Sequence, residues 1–162
     1  MVRCVLLGAL LAVSSLALGQ SYNYGDLRWG ISKQEATKAL EKGGFTRIGT
    51  DRDGDLKFEG AMLSGYRAGG FAYFADARLV KVEVMYLAQA KGHELYNQLK
   101  QSLTEQYGPP AQSFDDQGKF SSFWSGPQTK QRLWMEVTLG LSVRVSYESG
   151  EWPAESERRK KK

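Results

Sequence analysis

Three stretches of apolar–polar alternation decide what this chain can fold into. Val80, Val82, Val84 and Tyr86 alternate with Lys81, Glu83 and Met85. Leu133, Met135, Val137 and Leu139 alternate with Trp134, Glu136 and Thr138. Leu141, Val143, Val145 and Tyr147 alternate with Ser142, Arg144 and Ser146. A period of two sends successive side chains to opposite faces of a pleated strand. Strands of this kind form a sheet with one buried and one wet face, the pattern of antiparallel sheets. The short links, Ala75-Asp76-Ala77-Arg78 and the region around Gly140, make neighbouring strands hairpins. Weaker strand candidates lie at 45–48, 56–59, 62–66, 71–74 and 120–124.

Two helices accompany the strands. Ser32-Lys33-Gln34-Glu35 is a capping box, in which the Ser and Glu side chains each satisfy a free backbone N–H. Ala36, Ala39 and Leu40 form a thin apolar stripe, and Gly43-Gly44 ends the helix. In the second helix Leu95, Leu99 and Leu103 recur every four residues, with Tyr96 and Tyr107 beside them. Gly108-Pro109-Pro110 stops it, because proline cannot continue the helical hydrogen bonding. The expected fold is α+β, an antiparallel β-sheet with two α-helices packed on one face. The helix starts at Ser32 and His93 lie 61 residues apart, as do Tyr86 and Tyr147. A duplication is compatible with both offsets, although the helices do not share an apolar register at that spacing.

The N-terminus has the three-part layout of a secretory signal. Arg3 supplies the positive charge, an apolar run follows from Cys4, and Ala17-Leu18-Gly19 places small residues before a cleavage point. The expected organisation is therefore a signal peptide at 1–19, one domain at 20–148 and a disordered polar, basic tail at 149–162. A retained anchor is the other reading, though the run is short for a span of roughly 20 apolar residues. Cys4 precedes the apolar run, so it is not placed as a lipidated cysteine, and cleavage would remove the chain's single Cys. The exported part would then have no disulfide, thiolate metal site or Cys nucleophile. The protein is expected in the periplasm or outside the cell.

Charge is concentrated at the C-terminus. Arg158, Arg159, Lys160, Lys161 and Lys162 carry five positive charges, whereas residues 20–157 hold 16 Lys+Arg against 18 Asp+Glu. The basic balance thus belongs to the tail, and a nucleic-acid-binding face on the domain is not expected. The tail has two readings: an anionic-surface binder for membrane or cell wall, or a solubilising end.

No catalytic or cofactor motif is present. His93 is the lone histidine, and no G-x-S-x-G elbow provides a nucleophile for it. Gly65 and Gly69-Gly70 lack the Gly-Lys-Ser/Thr that completes a phosphate loop. A zinc site needs several His or Cys ligands. Asp51-Arg52-Asp53-Gly54-Asp55 has the carboxylate spacing of a calcium loop, but Leu56 and Met62 stand where an EF-hand needs Gly and Glu. The same residues suit a hairpin turn. No metal, cofactor or catalytic residue is expected, and a carboxylate-pair hydrolase stays as a lesser alternative.

Trp134 is the most suggestive side chain. It falls on the polar side of its strand between Arg132 and Glu136. Trp and Arg are enriched among residues that anchor protein partners. Trp134, Arg132, Glu136 and Arg144 are accordingly the candidate partner-binding set. Packing of Trp134 under a loop or under Trp152 is the competing reading.

A family likeness rests on Tyr24-Gly25-Asp26-Leu27-Arg28-Trp29-Gly30-Ile31-Ser32 leading into the capped helix. It resembles the "aromatic–Gly–hydrophobic–Ser/Thr–x–x–Glu" opening of small exported bacterial α+β proteins. Residues 99–109, with their Leu…Leu…Tyr-Gly-Pro ending, resemble the second helix of those proteins. More remotely the layout resembles β-lactamase-inhibitor-protein-like and SmpA/OmlA-like envelope domains. That resemblance implies a helix-plus-antiparallel-sheet module that binds other proteins. The chain departs from the SmpA/OmlA pattern in lacking a lipobox cysteine, and no inhibitor contact residues carry over. The expected function is a non-catalytic exported module that binds another envelope protein or serves envelope assembly. The alternative is surface association through the tail.

Overall fold

A computed structural model describes residues 21–63, 66–88, 91–116, 119–126, 129–138 and 140–161. The signal-like segment 1–19, with Cys4, lies outside the described residues, as do Leu139 and Lys162. In chain order the elements are α1 (Lys33–Lys42), β1 (Thr46–Thr50), β2 (Leu56–Leu63), β3 (Tyr66–Ala75) and β4 (Arg78–Leu87). Then come α2 (Gly92–Tyr107), β5 (Gln112–Asp116), β6 (Lys119–Ser125), β7 (Arg132–Thr138), β8 (Ser142–Glu148) and α3 (Trp152–Arg159).

The capping box forms as read. Glu35 N–H donates to Ser32 Oγ at 3.3 Å, and Ser32 N–H donates to Glu35 Oε2 at 2.9 Å. Gly44, at φ +85°, then turns the chain away from α1. Leu95, Leu99 and Leu103 of α2 are buried, and Gly108 ends it at φ +79°.

The strands make one eight-stranded antiparallel sheet in the order β1-β2-β3-β4-β8-β7-β6-β5. Each half is thus a helix followed by a four-stranded meander, and β4 and β8 meet at the centre. The 61-residue offset carries Val82, Val84 and Tyr86 onto Val143, Val145 and Tyr147. The central register pairs Val84 with Val145, flanked by Val82 with Tyr147 and Tyr86 with Val143. Val84 therefore faces its equivalent, and the two flanking pairs exchange under a local twofold axis through the Val84–Val145 pair. Gly70 of β3 is required by the close approach to β4, since a Cβ there would sit 1.8 Å from the Glu83 carbonyl oxygen.

The buried set of the strands forms one core. Leu56, Phe58, Ala72, Val82, Val84, Leu133, Met135, Val143 and Val145 join Ala36 and Leu40 of α1 and the three leucines of α2 in a single cluster. Removing this apolar surface from water is the main drive to fold. Lys81, Glu83, Met85, Arg132, Trp134, Glu136, Arg144, Ser146 and Glu148 alternate with that set and occupy the reverse face.

Two segments differ from the sequence reading. β5 was not expected: it has one large apolar side chain and no alternation to betray it. The end of the chain, read as a disordered tail at 149–162, contains α3. α3 lies against the reverse face of the sheet. Trp152 stands 5.1 Å from the Tyr73 ring, and Lys81 Nζ lies 4.7 Å above the indole.

Candidate partner-binding face

The pleat arranges the reverse face in rows. One row runs Tyr73–Lys81–Glu148–Arg132–Ser125. The next runs Lys57–Phe71–Glu83–Ser146–Trp134–Phe123–Gln112. A third runs Glu59–Gly69–Met85–Arg144–Glu136–Ser121–Phe114. All four residues singled out in the sequence, Arg132, Trp134, Glu136 and Arg144, therefore share one surface across β7 and β8.

The four divide by what they already hold. Arg132 Nη2 lies 2.6 Å from Glu148 Oε2, and Trp134 Nε1–H donates to Glu148 Oε1 at 3.2 Å. Glu148 is buried and also faces Lys81 Nζ at 4.0 Å. Lys81 is buried too, and its Nζ lies 3.0 Å from Glu83 Oε2. A buried charge is tolerated only when paired, so Lys81, Glu148 and Arg132 act as a brace within the sheet face. Arg144 and Glu136 are different. Arg144 Nη1 is 3.7 Å from Glu136 and its Nε is 3.9 Å from Glu83, both beyond hydrogen-bond reach. Nε of Arg144 is buried without a hydrogen-bond acceptor, and so is Nε of Arg132. Arg144 and Glu136 thus keep donors and acceptors in hand, each about one-third exposed at 33% and 37%.

Next to them is a groove of about 280 Å³ over β3 and β4. Gly69, lacking a side chain, leaves it open. Phe71, Met85 and Leu87 wall it, with Glu59 and Arg67 at its rim. Sequence reasoning missed Lys81, Glu83 and Glu148, which read as ordinary solvated positions of alternating strands. It also missed the groove, for which the adjacent Gly69-Gly70 in a strand was the available signal.

The basic end is largely committed. Arg159 Nη2–H donates to Asp55 Oδ1 at 3.2 Å and to the Phe74 carbonyl at 2.9 Å, and Arg159 Nε–H donates to Glu155 Oε1 at 2.7 Å. Arg158 pairs with Glu155 at 2.7 Å, and Lys160 with Glu157 at 2.6 Å. The Asp55 hydrogen bond leads the causes that hold the Arg159 guanidinium above its ordinary value. The hydrogen bond from Arg158, then that from Arg159, holds the Glu155 carboxyl below the usual carboxylate range against the opposing effect of burial. Lys161 is exposed.

The chemistry weighed in the sequence takes these positions. Asp51 Oδ1 accepts from the N–H groups of Asp53 at 3.0 Å and Asp55 at 2.9 Å, the work of a turn-forming Asp. Asp55 accepts from Phe74 N–H at 2.8 Å. Among the described residues no three His, Cys, Asp or Glu side chains group to hold a metal. The adjacent carboxylates Asp55 and Glu155 are bridged by Arg159, and Glu83 and Glu148 both face Lys81. Among the described residues no helix is long and apolar enough to cross a membrane. The chain matches no family model, no curated protein and no solved structure.

Proposed function

We propose that the protein is a non-catalytic exported module that binds another envelope protein or serves envelope assembly. Its partner surface is the sheet face bearing Trp134, Glu136 and Arg144. In this reading α1 and α2 both cover the opposite face, and α3 covers the wet face only around Tyr73 and Lys81, so the rest of it is left for recognition. The supporting observation is the Arg144–Glu136 pair, which stands beside Trp134 and the Gly69 groove, partly exposed and separated by more than a hydrogen bond. Groups of this kind, next to a large aromatic and an apolar recess, are what recognition surfaces use. Arg132 belongs to the brace and positions Trp134 through Glu148.

Surface association through Arg158 to Lys162 has less support, because Arg158, Arg159 and Lys160 already hold carboxylates. The carboxylate-pair hydrolase also has less, because the pairs Glu83–Glu148 and Asp55–Glu155 are each bridged by a cation.

The test is capture of a partner from envelope fractions by the purified protein and two variants. Replacing Trp134→Ala together with Arg144→Ala should weaken capture about tenfold or more. Lys161→Ala, on exposed α3-proximal surface, should leave it unchanged. Capture that ignores the double substitution, or that depends on Lys161, would sink the assignment.

A further inference from the structure

We propose that β5 pairs antiparallel with β5 of a second copy of this chain, with Phe114 facing its own counterpart across a twofold axis. β5 is the outermost strand of its half. It runs in unbroken register against β6, from Gln112↔Phe123 to Asp116↔Lys119. One row of its backbone N–H and C=O groups therefore points away from the sheet, which is a template for another strand.

Protein edges of this kind are normally blunted by a bulge, a Pro, a Lys or a covering helix. The opposite edge has such a device. β1 shifts register between Arg47 and Gly49, where Gly49 adopts φ +148°. β5, with the sequence Gln-Ser-Phe-Asp-Asp, contains no Pro or Lys and shows no register shift. α2 packs on β6, β7 and β8, one strand further in.

The strand is also complementary to itself. Centring an antiparallel pair on Phe114 sets Ser113 opposite Asp115 and Gln112 opposite Asp116, each twice. In this register no acidic residue stands opposite another acidic residue. Phe114, now 59% exposed, packs on Phe114 of the other copy. Alternation puts Phe114 on the same face as Phe123 and Trp134. The pairing joins the two reverse faces into one surface across a sixteen-stranded sheet, an isologous contact closed by its own symmetry. The inference does not depend on the partner assigned to Arg144 and Glu136.

Sedimentation equilibrium of the purified chain, from micromolar to millimolar concentration, tests it. Wild type should show a monomer–dimer equilibrium. Phe114→Lys, which places two ammonium groups across the axis, should weaken it roughly a hundredfold. Ile48→Lys, at an equally exposed position on the β1 edge, should not change it. The register is read by sign. Ser113→Lys, opposite Asp115, should tighten the dimer about fivefold, and Ser113→Asp should loosen it about fivefold. A wild type that stays monomeric at millimolar concentration overturns the proposal and leaves the edge to a strand of another protein. A dimer indifferent to Phe114→Lys, or shifted the same way by both Ser113 variants, overturns it equally.

Discussion

β1 and β5 hold equivalent places in the two halves of the sheet, yet they are finished differently. The β1 half is closed on several sides. Its edge carries a register shift, and α3 is fastened to its reverse face through Asp55, Tyr73, Lys81 and Trp152. The β5 half has a straight edge and keeps Trp134, Glu136, Phe123 and Phe114 on an uncovered reverse face. Two similar meanders thus differ in what covers them. The first carries α3 on its reverse face, and the second leaves most of that face open. Within the second half a similar contrast separates Arg132, bound to Glu148, from Arg144, which holds no short hydrogen bond.

The closed half should break hardest where α3 is fastened. Asp55 is fully buried, and Arg159 is the cation that compensates it. Arg159→Ala should cost about 3 kcal/mol, measured by urea unfolding, because it leaves a buried carboxylate without its cation. Arg158→Ala, at an exposed position, should stay within about 0.5 kcal/mol.

The helix starts offer a smaller contrast. Ser32 caps α1 with its side chain, whereas Lys91 at the start of α2 makes no such bond. Ser32→Ala should cost about 1 kcal/mol in the same assay, and Lys91→Ala almost nothing.

Acid should loosen the α3 side. The Glu155 carboxyl is held below its ordinary range, chiefly by Arg158. A carboxylate with a depressed folded value stabilises the fold above its unfolded value, and that contribution fades as pH falls through the depressed one. The Trp152 indole resonance should therefore report loss of packing on acidification below the usual carboxylate range. Glu155→Gln should remove that pH-dependent step.

The smallest effect lies in the β3–β4 turn, where Ala77 adopts φ +64°. A left-handed Ala is strained, so Ala77→Gly should gain roughly 0.5 kcal/mol once the entropy of the added glycine is deducted.

Much of this was legible because the residues report their own surroundings. Alternating valines betray a half-buried strand, and the Leu95–Leu99–Leu103 stripe betrays a buried helix face. The four candidate contact residues fell together because alternation fixes which face each occupies. β5 was hidden for the same reason reversed. An edge strand buries little, so Gln112-Ser113-Phe114-Asp115-Asp116 needs no periodicity. α3 looked like a solvated tail because its stability comes from ion pairs and from docking. Pro153 in the first turn and Glu155 placed three and four residues before Arg158 and Arg159 were the signals of a helix. The brace of Lys81, Glu148 and Arg132 had no local signature, since it exists only once β4, β7 and β8 are side by side.

The most direct test of the division between halves is amide hydrogen exchange of the wild-type chain, followed as concentration rises. The account predicts that amides of β5 gain protection while those of β1 keep a constant rate. Equal behaviour of the two edges, or protection gained at β1 alone, would contradict it.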